Sequence, residues 1–167
     1  MKKFIWLLMV SIILILTSCN KEPVPEEQFS TYVKLWNDQK FEEMYDYLST
    51  EAKDTINKEE FVERYKKIYS DLGITDLKVT YEKPKEGKER DKKVTEVSLP
   101  FSVSMNSIAG EIAFEQDARL TKEEREDSTD WYLNWNTTYI FPELKDGDKV
   151  GINTVTPTRG DILDRNG

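Results

Sequence analysis

Apolar side chains recur first every three to four residues and then every second residue. Phe29, Tyr32, Val33 and Trp36 stand at i, i+3, i+4 and i+7, one face of a helix that Asn37-Asp38 closes. Phe41, Met44, Tyr45 and Leu48 repeat that spacing and predict a second helix after a tight corner. Phe61, Tyr65, Ile68 and Leu72 predict a third, with Asn57 placed to cap its start three residues before Glu60 and Gly73 placed to end it. The period then falls to two. Ile74 to Tyr81 is rich in β-branched residues, and Val97, Leu99, Phe101, Val103 and Met105 alternate strictly. A turn is expected at Asn106-Ser107, then a strand through Ile112 and Phe114 towards Leu120, and a last one over Trp131, Leu133, Trp135, Thr137 and Tyr139. The charged stretches Lys83–Lys93 and Thr121–Asp130 read as solvated hairpin loops.

Helices followed by about four antiparallel strands give an α+β order. A strongly curved sheet wrapped around helices buries both aromatic helix faces, a pattern that resembles the cystatin-like cone. Trp36, Trp131, Trp135, Tyr139 and Phe141 could line a groove for a ligand such as a sugar, but at these periods they read as core. Asn136-Thr137-Thr138 has the letters of a glycosylation acceptor and reads as the polar face of a strand.

The front of the chain changes the picture. Lys2 and Lys3 precede an apolar run from Phe4 to Leu16 broken only by Ser11, and Leu16-Thr17-Ser18-Cys19 matches a bacterial lipobox. The run is short for a membrane span and suits a secretory signal. The expectation is a signal peptide over 1–18 and a lipid on Cys19, the only cysteine, with an uncleaved anchor as the alternative. Either places the chain at the outer face of a bacterial cytoplasmic membrane. A lone cysteine also excludes an intrachain disulfide. Residues 19–27, with Pro23 and Pro25, read as an extended tether, 28–145 as the cone, and 146–167 as a linker onward.

Net charge is −8, and without the first 18 residues 22 basic face 32 acidic residues, or −10, which argues against a nucleic-acid partner. With no histidine and one cysteine, metal or cofactor sites would need carboxylates alone, so none is assigned. Within a cone enzyme the acid to test is Asp46, between Tyr45 and Tyr47; a surface carboxylate is the plainer reading. Glu59-Glu60 and Glu123-Glu124 read as helix-start and loop acids.

The last residues, Arg159-Gly160-Asp161-Ile162-Leu163-Asp164-Arg165-Asn166-Gly167, resemble the R-G-x-I-x-D-R-N-G segment that opens the pedestal region of class B penicillin-binding proteins. The Arg-Gly-Asp triplet inside it also matches an adhesion tripeptide, a much weaker signal. Trp131-Tyr132-Leu133-Asn134-Trp135, then Ile140-Phe141-Pro142-Glu143-Leu144 and Gly147-Asp148, resemble the N-terminal, nuclear-transport-factor-2-like domain of the methicillin-resistance type of these proteins over about residues 26–145. The resemblance implies a serine DD-transpeptidase of peptidoglycan as the intact protein. The chain has no Lys-Thr-Gly; Ser18-Cys19-Asn20-Lys21 has the letters of Ser-x-x-Lys and of Ser-x-Asn but falls on the lipobox, and a second Ser-x-Asn, Ser104-Met105-Asn106, sits on an expected strand. No catalytic residue is therefore assigned. The resemblance implies a non-catalytic spacer and interaction module. Arg159, Gly160, Asp161, Asp164 and Arg165 would contact the following pedestal and transpeptidase domains, and wall polymer is a possible partner. A free-standing lipoprotein that binds a small ligand in the cone is the alternative.

Overall fold

The computed structural model describes residues 23–83, 91, 93–126 and 128–155. Four antiparallel strands, in the order β1 (Thr75–Tyr81), β2 (Glu96–Ser107), β3 (Gly110–Arg125) and β4 (Ser128–Leu133), form one sheet. The sheet curls into a half-barrel with the helices packed against it, as the sequence pattern implies.

Helix α1 (Pro25–Asn37) starts with proline in its first turn, where a missing N–H costs nothing, followed by Glu26 and Glu27 at the positive end of the helix dipole. Its expected face, Phe29, Tyr32, Val33 and Trp36, is buried. The chain reverses at Gln39, which takes φ +53° while Lys40 N–H donates to Leu35 O at 2.9 Å. The second expected helix is broken. Helix α2 (Phe41–Met44) tightens into a 3-10 turn at Tyr45–Tyr47, and a short α3 (Thr50–Thr55) follows, which the apolar spacing did not reveal. Ser49 caps α3, its buried hydroxyl accepting from Ala52 N–H at 3.1 Å. Helix α4 (Lys58–Asp71) carries the expected Asn57 cap, accepting from Glu60 N–H at 3.0 Å. Gly73 ends it at φ +59°, and a Cβ there would meet Ile108 Cγ2 at 2.8 Å.

β2 buries Leu99, Phe101, Val103 and Met105 on alternate positions. Its ladder with β3 runs from Glu96↔Thr121 to Ser107↔Gly110, so the turn lies at Ile108-Ala109, two residues beyond Asn106-Ser107. The loop expected over Thr121–Asp130 is instead ladder. Lys122 faces Trp131 and Glu124 faces Thr129, with the reversal at Glu126 (φ +41°). A charged strand with one solvated face looks like a loop to any hydrophobic pattern. The strand expected through Tyr139 stops at Leu133: Asn134 N–H still donates to Arg119 O at 2.8 Å, but Arg119 N–H donates to Tyr139 Oη at 3.0 Å and not to a β4 carbonyl. Trp135 and Tyr139 stay buried from a bend and a 3-10 turn (Thr137–Tyr139).

Pro100 is tolerated inside the sheet because its nitrogen faces the β1 side beyond the last paired residue, Tyr81. The outer edge of β1 is capped by a side chain: Asn37 donates to Val79 O at 2.9 Å and accepts from Val79 N–H at 2.7 Å, as a neighbouring peptide would.

The hollow of the sheet is filled by rings. Phe41 stacks on Tyr65 with centroids 4.9 Å apart, Phe101 on Tyr139 at 5.7 Å, and Phe61 meets Trp135 edge-on at 5.0 Å. The indole of Trp36 donates to Tyr69 Oη at 2.8 Å and that of Trp135 to Tyr65 Oη at 3.0 Å, so these polar tips are satisfied inside the core.

Candidate functional site

The aromatic set assigned to the core is the core: Trp36, Trp131, Trp135 and Tyr139 are buried, and Phe141 is half-buried against Phe114. Asp46 lies exposed on the 3-10 turn, its carboxylate 3.0 Å from Lys58 Nζ, which is the plain surface reading. Glu123, read as a loop acid, is a staple. Its carboxylate accepts from Thr50 N–H at 2.9 Å, Thr50 Oγ1 at 2.8 Å and Arg125 Nε at 2.9 Å. Burial opposes its charge, but these three donors outweigh burial and hold its carboxyl below the usual range. Arg125 also donates to Leu48 O at 2.9 Å and lies 3.4 Å from the Tyr132 ring centroid, tying the β3–β4 hairpin to the helices. Ser104 and Asn106 flank buried Met105 on β2, and Asn106 bonds Asp76 at 2.9 Å, which is no catalytic arrangement. Asn136 uses its side chain to cap Thr138 N–H at 2.9 Å. Cys19, Arg159, Gly160, Asp161, Asp164 and Arg165 lie outside the described residues.

Entry and exit of the domain are both held. At the entry, Pro23 O accepts from Trp131 Nε1 at 3.0 Å, Glu26 O accepts from Tyr81 Oη at 2.7 Å, and Gln28 bonds Asp130. At the exit, Thr137 Oγ1 donates to Leu144 O at 2.9 Å and Lys145 N–H donates to Asp148 Oδ2 at 2.9 Å, closing a turn through Gly147 at φ +85°. Arg64, from α4, donates to Lys145 O at 3.2 Å and Asp148 O at 3.3 Å.

An open cleft of about 1120 Å³ lies beside this turn, between α3, α4 and the sheet, with Trp135 and Leu120 among its lining residues. Arg64 Nε and Asn134 Oδ1, both on its wall, are buried without a partner. Among the described residues, no group of three or more His, Cys, Asp or Glu is placed to hold a metal ion. The cleft offers hydrogen-bond groups, the carboxylates of Glu51, Glu60, Glu63 and Glu96, and the edge of an indole.

Residues 24–148 match the family model described as the NTF2-like N-terminal transpeptidase domain. The chain belongs to this family. It is also 39% identical over 168 residues to penicillin-binding protein 3 of Bacillus subtilis (strain 168), an alignment that covers all of this chain and 25% of that protein. The chain thus spans about a quarter of the relative it matches. In this NTF2-like module the residues that pattern missed are those that fix its ends and edges. Arg64 lies off the apolar stripe of α4, and nothing in helical periodicity marks a guanidinium that reaches backbone carbonyls more than 80 residues away.

Arg64→Gln is expected to loosen the exit turn by about 1 kcal/mol, the order of a lost hydrogen bond. Limited proteolysis within residues 145–155 should run about fivefold faster while the global unfolding midpoint hardly moves. Equal cleavage rates would show that Arg64 does not restrain the exit.

Proposed function

We propose that this chain is the N-terminal spacer and interaction module of a membrane-anchored peptidoglycan DD-transpeptidase, held at the outer face of the cytoplasmic membrane by a lipid on Cys19. The alignment of its whole length with a quarter of a penicillin-binding protein carries the reading. The ring-filled interior supports it, since a cone packed with Trp36, Tyr65, Trp135 and Tyr139 is a rigid body rather than a container. The anchored entry at Pro23 and the Arg64-held exit suit a part that passes on position from a tether to a following domain. The penicillin-reactive serine would lie in that domain, and resistance to β-lactams would be a property of its acylation, to which this module contributes placement.

The test uses the full-length protein of the parent gene. Fluorescent penicillin should label it in the membrane fraction, and Cys19→Ala should release labelled protein. Deleting residues 24–148 should leave the rate of acylation in detergent unchanged while abolishing support of wall synthesis in cells. A full-length protein that penicillin does not acylate would overturn the reading.

A further inference from the structure

The fold bonds parts of its sheet edges and leaves one stretch of β3 open. Asn37 caps the outer edge of β1 at Val79. On β3, β4 covers Leu120–Arg125, and just before it Arg119 is met by Asn134 N–H, which donates to Arg119 O at 2.8 Å, and by Tyr139 Oη, which accepts from Arg119 N–H at 3.0 Å. These bonds fix the parity of the strand. Odd residues of β3 turn their backbone groups away from β2. Glu111, Ala113, Glu115 and Asp117 therefore point N–H and C=O outward, and among the described residues no strand, helix or side chain takes them. Seven residues of open ladder span about 20 Å, enough to receive one added strand.

The side chains define what would fit. On the concave side of this edge Ile112 and Phe114 are only half-buried. On the convex side Glu111, Glu115 and Asp117 are exposed, and their register partners on β2 are Asn106, Ser102 and Pro100, none of them a cation. Alternating acids along an open edge repel a second copy, because antiparallel pairing of two such edges sets carboxylates against carboxylates. They favour a strand with cations on one face and apolar residues on the other.

We propose that the Glu111–Asp117 edge of β3 binds an extended peptide segment of a partner protein by strand addition, with Lys or Arg at alternate positions facing Glu111, Glu115 and Asp117 and apolar side chains between them facing Ile112 and Phe114. Backbone bonds to Glu111, Ala113, Glu115 and Asp117 supply the attachment, and the alternation supplies the selectivity.

The probe is a capped octapeptide alternating lysine and valine, with the glutamate–valine counterpart as control, added to the full chain at low salt. Residue-resolved amide exchange should show Ile112, Phe114 and Gln116 slow from the start. The amides of Glu111, Ala113, Glu115 and Asp117 should be fast in the free protein and slow only with the lysine peptide. Ala113→Pro removes one outward N–H and leaves the β2 side of the ladder intact, so binding should weaken at least about tenfold. Glu111→Lys with Glu115→Lys keeps the backbone unchanged and should switch the preference to the glutamate peptide. Equal binding of both peptides, or protection that ignores residue parity, would overturn the proposal. So would protection of the same four amides by self-association of the chain, which would assign the edge to a second copy.

Discussion

Trp135→Ala is expected to destabilise the module by about 3–5 kcal/mol, the range for deleting a large buried aromatic. Trp135 is 4% exposed and sits outside every strand and helix, so no change of secondary-structure propensity complicates the effect. Its ring meets Phe61 at 5.0 Å and Tyr65 at 6.2 Å, and its indole N–H donates to Tyr65 Oη at 3.0 Å. Removing it opens a void at the mouth of the half-barrel and takes away a hydrogen-bond partner from a phenol that burial has already cut off from water. A domain of this size holds about 5–15 kcal/mol in all, so the variant should unfold at a far lower denaturant concentration. Trp135→Phe separates the two contributions. It keeps most of the packing, loses the donor, and should cost about 1–2 kcal/mol. Denaturant titrations followed by circular dichroism decide it, and a loss below about 1 kcal/mol for the alanine variant would mean that the mouth is not packed as described.

What could be read from the sequence divides along one line. Patterns that a single element imposes on itself were legible: the buried faces of α1 and α4, the Asn57 cap, the Gly73 stop and the alternation of β2. Features that depend on a distant partner were not. Asn37 looked like a helix terminator, yet its amide serves as a substitute strand for Val79. The charged residues from Thr121 to Asp130 looked like loop, yet most of them lie in the β3–β4 ladder, where Glu123 and Arg125 hold the helices. Trp135 and Tyr139 kept a strand-like alternation after the strand had ended, because the chain still ran along the wall of the core. The exit latch at Arg64 gave no signal at all, since its acceptors are main-chain carbonyls that any residue would offer. The family was legible from Trp131–Trp135, Ile140–Leu144 and Gly147–Asp148 inside the matched residues, while the motifs at the two ends, Leu16–Cys19 and Arg159–Gly167, lie outside the described residues.

Raising the pH through 10 is expected to unfold the module cooperatively, and four phenols account for it. Tyr32, Tyr65, Tyr69 and Tyr139 line the packed interior, and burial pushes all four up; the neighbouring phenols add to the shift at Tyr32 and Tyr65. Tyr139, whose hydroxyl accepts from Arg119 N–H, is pushed up to about 12, Tyr65 and Tyr69 go higher, and Tyr32 is raised well above its ordinary value. In the unfolded chain a phenol loses its proton near pH 10. Between these values the native state keeps protons that the unfolded state has released, so stability is fully present below about pH 10 and falls as pH rises. Each phenol held neutral in this way removes about 1.4 kcal/mol per pH unit, and four together about 5 kcal/mol per unit. The unfolding midpoint should therefore fall within one to three units above pH 10 for a domain of ordinary stability. Of the chain's eight tyrosines, the four buried ones should contribute their tyrosinate absorbance in step with loss of the folded circular dichroism signal, as a second phase after that of the four partly exposed phenols. Tyr139→Phe should reduce the steepness by about a quarter, at the cost of the Arg119 contact. All eight phenols titrating near pH 10 while the fold stays intact would show that the four interior side chains reach water, and that the interior is a pocket after all.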